Sequence, residues 1–200
     1  MASGALVIAC GALARELVDI KRRSQWEHLK IQCLPAEYHH SPEKIPGAVE
    51  ETIKKYRDEY EHIYVAYGDC GTGGLLDKVL KKYDVERLPG AHCYEFFAGS
   101  ARFFEFHDEE PGTFYLTDFL VRHFDRFVRK TLGLDRHPQL RDMYFGNYKR
   151  VVYLVQIPSE KLSAMAREQA AYLGLDYEEH FTGLGPVDGI LQEQEITWRN

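Results

Sequence analysis

Ile63-Tyr64-Val65-Ala66-Tyr67-Gly68-Asp69-Cys70-Gly71-Thr72-Gly73-Gly74-Leu75-Leu76 is the stretch whose reading decides the fold. Its first five residues are β-branched, aromatic or small and apolar, which suits a buried pleated strand. Gly68, Gly71, Gly73 and Gly74 then allow backbone angles and close approaches that a Cβ would block. Leu75, Leu76, Val79 and Leu80 recur at the spacing of one helix face. The order strand, glycine turn, helix sets Cys70 at the carboxyl end of a strand beside a helix N-terminus. Open α/β sheets bind their ligands at that edge.

Two further segments repeat the arrangement. Ala5-Leu6-Val7-Ile8-Ala9-Cys10-Gly11 is a short apolar run ending in Cys-Gly, and Val85–Leu88 is followed by Pro89-Gly90-Ala91-His92-Cys93. Leu29–Leu34 alternates and reads as another strand, with Pro35 ending it. Helices are expected at about Ala12–Arg23, Val49–Tyr60 and Leu75–Tyr83, whereas Ala36–Pro46, with Ser41-Pro42 and Ile45-Pro46-Gly47, reads as a loop. The β-α-β-α-β-α-β order argues for a parallel sheet with right-handed crossovers. If the strands are neighbours, Cys10, Cys70, His92 and Cys93 converge on one edge.

The second half is more aromatic. Tyr94–Gly99 reads as a short helix, Ala101–His107 as an aromatic-rich segment, Thr113–Thr117 as a strand or extended segment, and Phe119 to about Leu132 as a helix capped by Thr117-Asp118. Arg150–Ile157 is a buried strand, Ser159–Leu173 a helix stopped by Gly174, Leu175–His180 a last strand, and Thr182–Pro186 a loop. The expected architecture is therefore α/β, a three-layer parallel-sheet (Rossmann-like) domain whose second half returns to β-α-β order as a smaller lobe. Residues 1–200 form one domain, or two closely packed lobes at 1–100 and 101–200.

With 44% hydrophobic residues in 200, the chain can bury one substantial core or two small ones. A formal charge of −6 without a basic block gives no electrostatic reason to expect nucleic acid binding. Arg122, Arg126, Arg129 and Lys130 do cluster, but Asp118 and Asp125 interleave with them as on a solvated helix face. Met1-Ala2-Ser3-Gly4 lacks a basic segment and the apolar run Ala5–Cys10 is short, so neither a signal peptide nor a membrane span is expected. The expected location is cytoplasmic, where four cysteines signify metal ligation, catalysis or burial before disulfides.

Taken singly, a thiol reads first as a packing residue, but Cys70 lies in a glycine-lined turn that is a poor place to bury a hydrophobe, beside a helix N-terminus expected to lower its pKa and favour the thiolate. Cys33, inside an alternating strand, reads as a bystander. Cys10, Cys70 and Cys93 at equivalent strand ends, with His92 beside the last, form a stronger pattern. Thiolate and imidazole suit zinc, and three thiolates with an open position also suit iron or an iron–sulfur cluster. His92 is either a fourth ligand or a general base, with Glu95 as its acid–base partner. The turn Gly71-Thr72-Gly73 admits a second reading as an anion cradle at a helix N-terminus. It matches neither a Walker loop nor G-x-G-x-x-G, and no nucleotide is expected. Arg102 and Asp69 fall near the same edge, where they would bind an anion or orient a ligand; His39 and His40 lie in a polar loop, solvated or acting as a lid.

Ile8-Ala9-Cys10, Arg15-Glu16-Leu17, Tyr67-Gly68-Asp69-Cys70-Gly71, Pro89-Gly90-Ala91-His92-Cys93 with Gly99-Ser100, and Pro111–Thr117 together resemble a family of bacterial and archaeal proteins carried as a domain of unknown function. Members are often encoded beside corrinoid-dependent methyltransferases for methylamines and betaines. The usual pattern in that family has an arginine after the proline and one residue between His and Cys; here Gly90 takes the arginine's place and His92 and Cys93 are adjacent. The resemblance implies a setting in one-carbon metabolism, with a small-molecule substrate and a corrinoid protein or methyltransferase as partner.

Three functions follow. The leading expectation is a metal–thiolate protein with Cys10, Cys70, Cys93 and His92 at the metal, carrying out methyl transfer or C–N bond chemistry as a transferase or lyase. The others are a non-catalytic accessory or metal-delivery protein, and a metal-free enzyme with Cys70 as nucleophile and His92 as base.

Overall fold

The apolar runs of the first half all become parallel strands. The computed structural model describes residues 4–199, and Met1–Ser3, read above as carrying no leader, lie outside them. The elements run β1 (Ala5–Cys10), α1 (Ala14–Arg23), β2 (Leu29–Leu34), α2 (Ile45–Tyr56), β3 (His62–Ala66), α3 (Leu75–Tyr83), β4 (Glu86–Arg87) and α4 (Cys93–Ala98). The strand order is β2-β1-β3-β4, every pair parallel. With right-handed crossovers, the reversal of direction at β1 sends α1 to one face and α2 and α3 to the other. Leu6, Ile8, Val65 and Tyr67 pack there against Ile45, Val49, Ile53, Leu76 and Leu80. Each such buried side chain is worth roughly 1.5–3 kcal/mol, so the layer holds the strand ends in register: Ala9 stands opposite both Cys33 and Ala66.

The chain divides into two compact units. Residues up to Phe96, together with those from Pro186 onward, form the first, and Phe97–Gly185 form the second. The second contains α5 (Ser100–Glu109), β5 (Thr113–Thr117), α6 (Asp118–Arg122), a π-helical stretch (Asp125–Lys130), α7 (Leu140–Phe145), β6 (Arg150–Val155), α8 (Glu160–Leu173) and β7 (Asp176–Phe181). Its sheet is parallel, in the order β5-β6-β7. The whole is thus a Rossmann-like α/β fold with two parallel sheets.

In the second unit a buried carboxylate ties strand ends to helix starts. Asp118, 1% exposed, accepts from the Tyr153 hydroxyl at 2.7 Å and from the amides of Gln156 and Ile157 at 3.2 Å each. Its own amide donates to Gln156 Oε1 at 2.6 Å. Arg122 stands 3.5 Å from the same carboxylate.

Four elements differ from expectation. Helix α2 begins at Ile45, inside the stretch expected as a loop, because Pro46 is tolerated in a first helical turn, and it ends at Tyr56. The strand expected at Val85–Leu88 shrinks to Glu86–Arg87. The single helix expected over Phe119–Leu132 is α6 followed by the π-helical stretch, whose wider turn leaves no mark in apolar spacing. Beyond the Thr182–Pro186 loop a further helix, α9 (Gly185–Arg199), forms. No helix among the described residues is long and apolar enough to cross a membrane.

Candidate functional site

Cys10 is the last residue of β1. Its backbone stays extended while Gly11–Leu13 turns, and its sulfur accepts the Ala12 amide at 3.5 Å as the cap of that turn. Burial pushes its thiol up to about 11, the neighbouring Cys70 adding to the shift.

Cys70 lies in the turn after β3 at φ +48°, a left-handed angle uncommon for any residue but glycine. Two main-chain hydrogen bonds fix the turn to the segment after β4: Asp69 N–H to Gly90 O at 3.1 Å and Cys70 N–H to Ala91 O at 2.8 Å. Gly68 permits this approach, since a Cβ there would stand 3.0 Å from Gly90 O and from the Phe96 ring. Gly71 and Gly73 serve a different need. Their φ values are +83° and +61°, and an added Cβ would meet only Pro42 carbons at 3.5 Å or more, or nothing. Both supply a backbone angle that a Cβ would strain.

The expected anion cradle holds an anion of the chain's own. The Asp69 carboxylate accepts from Gly74 N at 2.7 Å, Gly73 N at 3.1 Å and Thr72 Oγ1 at 2.9 Å, and so fixes the turn that leads into α3. The Gly74 hydrogen bond is the main reason its pKa falls below the ordinary carboxylate value.

Cys93 opens α4, and burial among the other thiols, Cys70 first and then Cys10, raises its pKa well above the usual value. Cys10, Cys70 and Cys93 all line one cavity of about 30 Å³, together with His39, Tyr67, Ile45 and Phe96. The end of β1, the turn after β3 and the start of α4 therefore bring three cysteines to one cavity. Among the described residues, no three His, Cys, Asp or Glu side chains stand grouped so as to hold a metal ion. Cys33 does not line the cavity, although Cys10 feels its proximity.

Two residues at this cavity are not among the ligands or catalytic groups expected from the sequence, where His39 reads as solvated or as a lid. Tyr67 is 2% exposed, and its hydroxyl lies near the Cys10 sulfur without reaching hydrogen-bond geometry, so it is buried without a partner. His39 sits in a 3-10 turn (Ala36–His40), its ring edge-on to His40 at 5.3 Å and to Tyr94 at 6.4 Å. Its outer side is exposed while its inner side lines the cavity. Burial there, with His40 and His92 nearby, holds its pKa below the usual imidazole value.

The remaining expected residues lie elsewhere. His92 is exposed, near His39, and is not among the cavity's lining residues. Glu95 is buried, and its carboxylate accepts the Ala91 amide at 2.9 Å. It also fills the space over Gly90, with Oε2 2.6 Å from where a Cβ would stand, so a larger residue at 90 would have to displace it. Arg102 belongs to the second unit, paired with Glu105 at 2.8 Å and lying over the Phe106 ring.

No curated protein and no solved structure matches the chain. One family model does, over residues 33–191, a span that holds His39, Tyr67, Cys70 and Cys93 and begins after Cys10. Since that span is well over half of the sequence, the chain belongs to the family described as "protein of unknown function (DUF1638)".

Proposed function

We propose that the first unit is a metal–thiolate protein whose centre is held by Cys10, Cys70 and Cys93. The observation that carries the reading is that three thiols, one ending β1, one in the turn after β3 and one opening α4, line one small cavity. The donor set fits zinc or iron, the latter as an ion or an iron–sulfur cluster: sulfur ligands with imidazole nearby and no carboxylate among the cavity's lining residues. Without a cation, burial keeps all three thiols protonated. A bound cation reverses that preference and takes the thiolates as ligands. Because the side chains do not stand as a grouped set, loading requires them to close on the ion. His39 supports this reading as a fourth donor better than His92 does, since only His39 lines the cavity. Cys70 adds a second line of support, since a non-glycine residue held at positive φ is a strain that folds retain chiefly at functional sites.

When bound, the metal supplies a Lewis acid able to activate a thiol, amine or water. The chain's own residues bind it, exclude water through Ile45 and Phe96, and present the His39 side to solvent. Methyl transfer or C–N bond chemistry suits such a centre, with a corrinoid protein or methyltransferase as the partner class.

A second reading, metal delivery without turnover, draws on cavity size. About 30 Å³ accommodates one water or one ion and leaves no room for an organic substrate beside it. The metal-free Cys70 nucleophile has less support, because burial keeps that thiol protonated and His92 lies outside the cavity.

Elemental analysis of anaerobically purified protein tests the reading. About one equivalent of zinc or iron is expected, lost in Cys70→Ser and Cys10→Ser and kept in Cys33→Ala. Metal-free wild-type protein that also fails to take up zinc or iron in vitro would overturn it.

A further inference from the structure

Tyr67 carries a hydroxyl that packing alone does not require. It follows β3 directly and its ring belongs to the apolar cluster of Leu6, Ile8, Val65 and Leu76, where a phenylalanine would fill the same space. The residue is 2% exposed, and its hydroxyl finds no hydrogen-bond partner among the described residues. A buried polar atom left unsatisfied works against folding, and such an atom in a native structure calls for an explanation.

Strand register supplies one. Ala9 of β1 stands opposite Ala66 of β3, so the next residues, Cys10 and Tyr67, stand side by side, and both pack into the same cluster. Both also line the thiol cavity. Of the sulfurs around the hydroxyl, Cys10 acts on it most strongly. The Cys10 sulfur already accepts one hydrogen bond, from the Ala12 amide at 3.5 Å. As a neutral thiol it is a weak acceptor, and a second donor gains little from it. As a metal-bound thiolate it carries negative charge, and hydrogen bonds to charged groups are shorter and roughly twice as strong. The hydroxyl is thus a donor held beside a charge that only loading creates.

We propose that Tyr67 is a positioning residue of the metal centre: on loading, its hydroxyl donates to the Cys10 thiolate, fixing that ligand and drawing electron density from its sulfur. The inference rests on the metal–thiolate reading above. Loading releases the protons of Cys10, Cys70 and Cys93 to solvent, whereas Tyr67 keeps its own. Cys10 then receives two donors, the Ala12 amide and the Tyr67 hydroxyl, and its orientation toward the metal is set by both.

The test compares wild type with Tyr67→Phe, which removes one oxygen, using the full chain stripped of metal, with zinc and cobalt(II) as probes. Competition against a chelator should show zinc held at least about tenfold more weakly in the variant, the scale on which hydrogen-bond partners of metal ligands act. The sulfur-to-cobalt charge-transfer band should move to longer wavelength, because a thiolate relieved of a hydrogen bond gives up its electron more readily. The thermal midpoint of the metal-stripped variant should equal or exceed that of wild type, since the lost hydroxyl had no partner there; a hydroxyl with a purely structural role would lower it when removed. Equal zinc affinity, an unmoved cobalt band, or a metal-stripped midpoint that falls would overturn the inference and leave the metal reading in place. Wild-type protein that takes up neither probe would overturn both.

Discussion

The Cys70 amide donates to the carbonyl of Ala91 at 2.8 Å. With the Asp69–Gly90 hydrogen bond beside it, this contact carries the pairing of β3 with β4 past the two residues that form β4 proper. It is what lets Cys70 and Cys93, on different turns, line the same cavity.

Gly68 is the position on which that ladder depends. Gly68→Ala sets a methyl 3.0 Å from Gly90 O and from the Phe96 ring, neither of which is the free end of a flexible chain. We expect a loss of about 1–3 kcal/mol, the range for overpacking, read as a lower thermal midpoint. Any bound metal should fall in parallel. An unchanged midpoint would mean that the two turns part without cost.

Asp69→Ala removes the acceptor that holds the Gly73 and Gly74 amides and the Thr72 hydroxyl in the turn before α3, and should cost about 1 kcal/mol, the usual net worth of such a hydrogen bond. The folded-state pKa of Asp69 is depressed, chiefly by the Gly74 amide. Its contribution is therefore present above the unfolded carboxylate pKa and is lost as pH falls through the lower folded value. Denaturant titrations of wild type and Asp69→Ala should converge in that acid window and stay apart at pH 7.

Cys70→Gly should be more stable than Cys70→Ala. At φ +48° a Cβ is strained by about 1–2 kcal/mol, the reverse of the ordering in a helix. For a chain of this size the gap corresponds to roughly 2–4 °C in thermal midpoint per kcal/mol. Both variants should fail to hold metal at the site. If alanine proves the more stable, the turn relaxes to negative φ and carries no strain.

In metal-stripped protein, stability should decline between about pH 9 and 11. Cys10 rises from 9.0 to about 11 on burial, and Cys70 and Cys93 rise as well. Above 9.0 the unfolded chain has shed thiol protons that the folded chain still holds, so each further unit of pH favours unfolding. Native-state alkylation should be slow at neutral pH for these three thiols and accelerate through the same window. Fast alkylation of Cys70 at pH 7 would instead indicate a thiolate.

Asp118→Ala should strongly destabilise the second unit. It leaves the Tyr153 hydroxyl and the Gln156 and Ile157 amides without their acceptor. Each orphaned buried donor costs about 1–3 kcal/mol, so cooperative unfolding of this unit should be lost or shifted far down in a urea titration. A shift under 1 kcal/mol would show that water replaces the carboxylate.

The strands with long apolar runs and glycine punctuation were legible, and with them the places of Cys10 and Cys70. Burial of Val65 or Ile8 is a property of the local run, and the parallel order follows from the alternation of elements. His39 was legible only as solvated or as a lid, because nothing in a His-His pair in a polar loop shows that tertiary contact turns one ring toward the thiols. Asp118 misled for the opposite reason: arginines interleaved around it suggest a wet helix face, whereas its partners lie more than thirty positions away, on β6 and just past it. The Gly71–Gly74 turn suggested room for an outside anion, and Asp69, in plain view, already supplies one. Helix α9 was missed because Gly185–Arg199 carries little periodic apolar signal.

The first unit is assembled from both sides of the second: its last helix is made after Phe97–Gly185 has been synthesised. On a ribosome, the contiguous second unit can complete its own contacts while the first still lacks Trp198 and its stacking on His62. The sheet edge formed by β3 and β4 thus waits uncovered at one end for the time it takes to translate roughly a hundred residues, about 5–20 seconds at ordinary elongation rates. During that interval the nascent chain presents Tyr60, Tyr64 and Tyr83 without the helix that later walls them in, and chaperones that recognise aromatic surface have a defined window in which to engage it.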